Sequence, residues 1–361
     1  MGKAKPTTHA SWALLLAAVA AACGGSGGAD MVGQPGGAPG GAPGSAADAG
    51  GGGTGAPGSG GASDSGAADT SPPAPSADSG VAGSEGGAGK PGDGGAGMIG
   101  NGATPTLPSP TGNCPTFTNG MVTFNPATIP SRAAQVYMSS AAATMHGPLI
   151  LYWYATGSST AEVQYSLNTT LASIEAAGGI VVAPQADPNA GQFEWYQVNG
   201  SPKLDDFLVA DEIVACAAKM TGIDTTHIHS MGMSAGALQT TDMSYLRSSY
   251  LASVVTYSGG TPPSFAQTMQ DPANRFAALI FDGGTNDDVF GVNFQAASQA
   301  FYATLKSAGH FAAICDHGMG HAIPTAAAPS VWAFFQANGF GVYPSPYASG
   351  LPAGFPSYCM L

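Results

Sequence analysis

The chain is poor in charge, and poorest in positive charge: of its 361 residues nine are Lys or Arg against 22 Asp or Glu, a formal net charge of −13. So few cations exclude a nucleic-acid-binding surface or an electrostatic hold on anionic membranes, because both are built from clustered Lys and Arg. Cysteine is scarce too. The five present, Cys23, Cys114, Cys216, Cys315 and Cys359, show no CxxC spacing, which argues against zinc-ribbon and thioredoxin-like chemistry. From Gly24 to Gly112 aromatic residues are missing and large aliphatics nearly so. A stretch of Gly, Ala, Ser, Pro, Asp and Thr cannot bury enough apolar surface to offset its ordering entropy, so residues 24–112 are expected to be a disordered tether. Their glycines keep no period of three, which excludes a collagen-like helix.

A long apolar run is also lacking. The N-terminus has instead Lys3 and Lys5, an apolar stretch from Trp12 to Ala20, and small residues Ala20, Ala21 and Ala22, the pattern of a secretory signal peptide over residues 1–23. Cys23 follows directly, and this resembles a bacterial lipobox, with Ala20 where that motif usually has Leu. The resemblance implies lipid on Cys23 and an outer-membrane lipoprotein, with the lipid as its one membrane contact; plain cleavage and an extracellular product is the alternative. With Cys23 lipidated, four cysteines remain in an oxidising compartment, enough for two disulfides. Three connectivities are possible. The one expected is Cys114–Cys359 with Cys216–Cys315, because the first pair would staple the two ends of the folded part.

That folded part is residues 113–361, long enough for one domain with a substantial core. It carries fifteen Asp and Glu against six Lys and Arg, a formal charge of −9, which suits a neutral substrate. Apolar runs such as "PLILYWY", "IVVAPQ", "SVVTYSGG" and "FAALIFDGG" alternate with helical patterns such as "AEVQYSLNTTLASIEAAGG" and "LDDFLVADEIVACAAKM". Continuous apolar strands alternating with helices imply an α/β class: a mostly parallel, doubly wound sheet with helices on both faces.

Within this alternation "THIHSMGMSAGAL" holds a Gly-x-Ser-x-Gly pentad around Ser234. A second copy at Gly24–Gly28 has neither strand nor helix beside it. The pentad at Ser234 follows a predicted strand and opens a predicted helix, where a nucleophile elbow needs glycine on both sides of its serine. A serine nucleophile requires a base held by a third group. "IFDGGTNDDVF" places Asp287 and Asp288 after a later strand, and "CDHGMGHAIP" places His317 and His321 after the next.

The run "DDFLVADEIVACAAKMTGIDTTHIHSMGMSAGA", the loop "GGTNDDVF" and "MGHAIP" resemble the polyhydroxybutyrate depolymerase, feruloyl esterase and acetylxylan esterase branch of the α/β-hydrolases, over most of residues 147–337. The resemblance implies Ser234 as nucleophile, His321 after Gly320 as base, and Asp287 as acid, with Asp288 and His317 as alternatives. It implies no cofactor, and no metal is expected at His227 with His229 or His317 with His321. An oxyanion hole would take one N–H from Ala235 and one from the loop after the first central strand, Ala155 or Thr156. There the chain departs from the family, whose His-Gly is Tyr154-Ala155 here. Of the aromatics Trp153, Tyr154, Phe193, Trp195 and Tyr196, Trp153 reads as core, and Trp195 and Tyr196, in a polar segment, as substrate contacts.

The activity expected is that of a monomeric serine carboxylesterase acting through an acyl-enzyme on polymeric or phenolic esters, with no nucleic-acid partner. A non-catalytic surface binding module on the same fold is the second reading. A serine peptidase is the third, and it lacks the propeller or cap that such enzymes often add.

Overall fold

The computed structural model describes residues 103–261 and 268–361. The expectations for the leader, Cys23 and most of the tether lie outside these residues. The elements in chain order are β1 (Gly120–Phe124), β2 (Arg132–Tyr137), α1 (Ala142–Met145), β3 (Leu149–Trp153), α2 (Glu162–Leu167), α3 (Thr170–Ala176) and β4 (Ile180–Pro184). They continue as α4 (Asp205–Met220), β5 (Ile228–Met233), α5 (Ala235–Leu246), β6 (Ser253–Tyr257), β7 (Ala277–Asp282), β8 (Asp288–Val289) and β9 (Val292–Asn293). The last are α6 (Phe294–Ser307), β10 (Ala312–Asp316), α7 (Ala328–Ala337) and β11 (Cys359–Met360).

Nine strands form one sheet in the order β1-β2-β4-β3-β5-β6-β7-β10-β11. From β4 to β10 all neighbours are parallel, while at the edges β1 with β2, β2 with β4 and β10 with β11 pair antiparallel. Every residue of β3, β4, β5, β6 and β7 is buried, which is why β3, β4, β6 and β7 read as mainly apolar runs, while β5 buries His229 and Ser230 as well. Each Val, Leu, Ile or Phe so buried contributes about 1.5–3 kcal/mol. The predicted helix after β3 is two helices. Asn168 sits between them in a non-helical conformation (φ 39°, ψ −125°), and its side-chain Nδ2 donates to the Thr325 carbonyl at 3.0 Å.

Three further expectations are corrected. Residues 103–112, assigned to the tether, are held on the domain: Thr106 N–H donates to Ser249 O, and the buried Glu212 carboxylate of α4 accepts from the Thr111 and Gly112 amides at 2.7 and 3.0 Å. The disulfides are Cys114–Cys216 and Cys315–Cys359. Cys216 on α4 meets the segment that leads into β1, and β11 pairs with β10 with Cys359 directly opposite Cys315, so strand pairing sets the second partner. The third concerns Trp195 and Tyr196, which are 0% and 3% exposed.

Candidate active site

Ser234 stands between β5 and α5 with φ 54° and ψ −119°, backbone angles costly for any residue but glycine. The turn is tight because α5 runs back along the sheet: a Cβ on Gly232 would lie 2.4 Å from Gly236 O, and one on Gly236 1.9 Å from Trp153 O. Both neighbours are backbone and cannot yield. The glycines on either side of Ser234 are therefore demanded by packing, and the Gly24–Gly28 copy lies outside the described residues.

Asp287 and His321 come from the loops after β7 and β10. Those loops touch where a Cβ on Gly283 would lie 1.9 Å from Gly320 O, and Gly320 N–H donates to Gly283 O at 2.9 Å. The contact brings Asp287 Oδ1 to 2.7 Å from His321 Nδ1. Asp287 is 1% exposed, and its Oδ2 accepts from Ser258 Oγ at 2.7 Å and from the Gly283 amide at 2.8 Å. Burial alone would raise its pKa, but the hydrogen bonds from His321, Gly283 and Ser258 outweigh that and hold the carboxyl below its usual value. An ionised carboxylate only accepts. His321 Nδ1 therefore carries a proton, and in the neutral imidazole the lone pair is on Nε2. Asp288 is exposed on β8. His317 uses Nδ1 to accept from the Met319 amide at 3.2 Å. The His321 ring packs on Phe294 with centroids 4.7 Å apart, and Phe294 and Ser234 line one cavity together with Thr156 and Ala235.

The loop after β3 is held from both sides. Ala155 N–H points at the Glu162 carboxylate, 3.2 and 3.3 Å from its two oxygens, so Ala155 is corrected as an oxyanion donor: its hydrogen is already committed. Gly157 N–H donates to Glu194 Oε1 at 2.9 Å. Thr156 stands between these two clamped amides and on the wall of the Ser234 cavity. Ser258, Glu162 and Glu194 were not singled out in the sequence: Ser258 and Glu194 lie in loops that carry no pattern of their own, and Glu162 reads as an ordinary first-turn acid of a helix.

The segment 193–196 does three different things. Phe193 lines the cavity, Glu194 holds Gly157, and Trp195 packs edge-on against Trp153 and Tyr154 (centroids 5.0 Å) while its Nε1 donates to Tyr154 O at 3.0 Å. Tyr196 N–H donates to Asp206 Oδ2 at 2.7 Å, and Asp206 and Asp187 both pair with the buried Arg132. Trp195 and Tyr196 are thus buried supports beneath the loop, not the exposed aromatics expected; the polar residues around them misled because the aromatic rings turn inward. Trp195→Ala should cost about 3–5 kcal/mol of stability. Denaturant unfolding reads the loss. Among the described residues the one His, Cys, Asp or Glu group close enough to hold an ion is Cys114, Glu212 and Cys216, and both sulfurs are spent in the disulfide.

Comparison with solved structures fits this layout. The chain is similar to native pOPH, at 16% identity and a TM-score of 0.55 over 69% of this chain and 96% of that one. It is similar to native sOPH at 16% identity and a TM-score of 0.54, covering 70% and 96%. The fold is that of an α/β-hydrolase. No protein-family model matches the sequence, and no curated protein matches it. In this fold the turn at Ser234, the Asp287 loop and the His321 loop all lie past the carboxyl ends of β5, β7 and β10, the edge where open α/β sheets place their ligands.

Proposed function

We propose that the protein is a serine carboxylesterase with Ser234 as nucleophile, His321 as base and Asp287 as the group that orients and charges the imidazole. The observation that carries the reading is the strained Ser234 in one cavity with Thr156, Ala235 and Phe294, whose ring packs on a histidine held by a buried carboxylate. A binding module has no use for that arrangement. In the first half-reaction Ser234 Oγ bonds to the ester carbonyl carbon as His321 Nε2 takes its proton, and the alkoxy C–O bond then breaks as that proton passes to the leaving alcohol. Water repeats the sequence on the acyl-enzyme and releases the acid. The amides of Ala235 and Thr156 stabilise the oxyanion in both halves.

The leader, Cys23 and the Gly-rich tether support an exported enzyme held at the cell surface and working as a monomer on bulky or polymeric esters, and the two disulfides fit an oxidising compartment. Hydrolysis of a short-chain aryl ester, with labelling of Ser234 by a fluorophosphonate, tests the reading; a folded protein that does neither refutes it. The clamp on Gly157 gives a second check. Glu194→Ala should lower kcat about ten- to a hundredfold by loosening the Thr156 amide, with KM little changed. Glu194→Gln keeps an oxygen acceptor for the same N–H and should restore most of the rate; equal losses in both variants would refute the positioning role.

A further inference from the structure

The cavity beside Ser234 has a volume of about 30 Å³. Beyond Ser234, Ala235 and Thr156 its walls are apolar, among them Phe193, Leu238, Val289, Phe290, Val292 and Phe294. Three of these belong to the β8–β9 hairpin, which begins at the residue after Asp287. Its two turn residues, Phe290 and Gly291, both have positive φ (54° and 75°), the arrangement in which a hairpin favours Asn or Gly first and Gly second. A bulky residue in the first place is an outlier. Phe290 nevertheless occupies it, 50% exposed, with its ring edge-on to Phe193 at 5.5 Å between centroids. The backbone gains nothing from phenylalanine there, and the burial gained is only partial. What the side chain does provide is a wall shared with Phe193.

We propose that this cavity receives the acyl group, and that the wall formed by Phe290 and Phe193 limits its length, so that the enzyme takes short aliphatic acyl groups and rejects long-chain and cinnamoyl-type aromatic ones. The proposal rests on Ser234 being the nucleophile. With the acyl carbon bonded to Ser234 Oγ and its oxygen turned to the Ala235 and Thr156 amides, which line the same space, the chain has these apolar walls to lie against. Inward-facing aromatic side chains discriminate here by excluded volume, and one methylene too many in such a pocket is commonly worth tenfold or more.

The test is kcat/KM on p-nitrophenyl acetate, butyrate, octanoate and cinnamate, and on a series of acetates with different alcohols, for the wild-type protein and Phe290→Asn. The wild type should favour acetate and butyrate over octanoate and cinnamate by at least about tenfold. Phe290→Asn should raise the octanoate-to-acetate ratio at least about tenfold without lowering Tm, since asparagine accepts the turn's backbone angles. A merely structural Phe290 would lower Tm and leave the ratio alone. That result, a wild type indifferent to acyl length, or a preference that follows the alcohol overturns the acyl assignment while Ser234 stands. No hydrolysis of any ester together with no fluorophosphonate label on Ser234 overturns the nucleophile and the pocket together.

Discussion

Ser234→Ala should lower kcat on a short aryl ester by about 10⁴-fold or more, and the Ser234→Ala, His321→Ala double variant should be no worse than either single one. The loss is not additive because neither residue does its work alone: without His321 the hydroxyl keeps its proton, and without Ser234 the imidazole has nothing to deprotonate. The residual rate above the uncatalysed reaction measures what the Ala235 and Thr156 amides and the cavity supply by themselves. Ser234→Ala should also be more stable than the wild type, or at least no less. Alanine removes a hydroxyl from a cavity whose other walls are mainly apolar, at the expense of one small contact. Retained turnover in Ser234→Ala, or a double variant worse than the singles by the product of their separate losses, would sink the joint role. Steady-state kinetics under matched conditions decide the matter.

Much of this layout was legible before the structure, for identifiable reasons. Buried parallel strands have no solvent side to fill with polar residues, so β3, β4, β6 and β7 stood out as apolar runs. The pentad could be told from its copy at Gly24–Gly28 because only one had a strand before it and a helix after it. The structure gives that context its physical content in the backbone atoms that crowd Gly232 and Gly236. What was not legible depends on distant partners. Cys359 finds Cys315 only because a two-residue strand adds to the sheet edge beside β10. Thr111 and Gly112 belong to a Gly- and Pro-rich stretch, yet the Glu212 carboxylate 100 residues later orders them. Trp195 lies among Asn, Gly and Gln and still faces inward, since Tyr154 O supplies its N–H with a partner. The β8–β9 hairpin had no sequence signal at all. Its turn carries Phe290 where pattern reading looks for Asn or Asp.

Asp287→Asn should cost about 10³- to 10⁴-fold in kcat, and Asp288→Asn should cost almost nothing. An amide at 287 cannot hold the His321 proton on Nδ1 against its own NH₂ group, nor offset the charge that the imidazole gains as Ser234 reacts. Asp288 is exposed one residue further on and faces neither task. A crippled Asp288→Asn beside a near-normal Asp287→Asn would exchange the two. The same substitution has a signature in stability that separates it from simple damage. The Asp287 pKa is lower in the folded protein than the ordinary carboxylate value, so the stabilisation it brings is present above that ordinary value and is lost as pH falls through the folded one. Asp282, at the end of β7, behaves oppositely. Burial first, then the nearby Asp316 and Asp287 carboxylates, push it up to about 6. Its folded form therefore holds a proton that the unfolded chain has released, and stability falls as pH rises from about 4 to 6. Replacing Asp287 with Asn removes one of the charges that raise Asp282, so Tm against pH should lose part of its decline between about pH 4 and 6 as well as the acid-side drop that belongs to Asp287. An Asp287→Asn protein whose Tm–pH curve keeps the wild-type shape in both windows would show that Asp287 is not ionised against His321, and the assignment of the acid would fall with it.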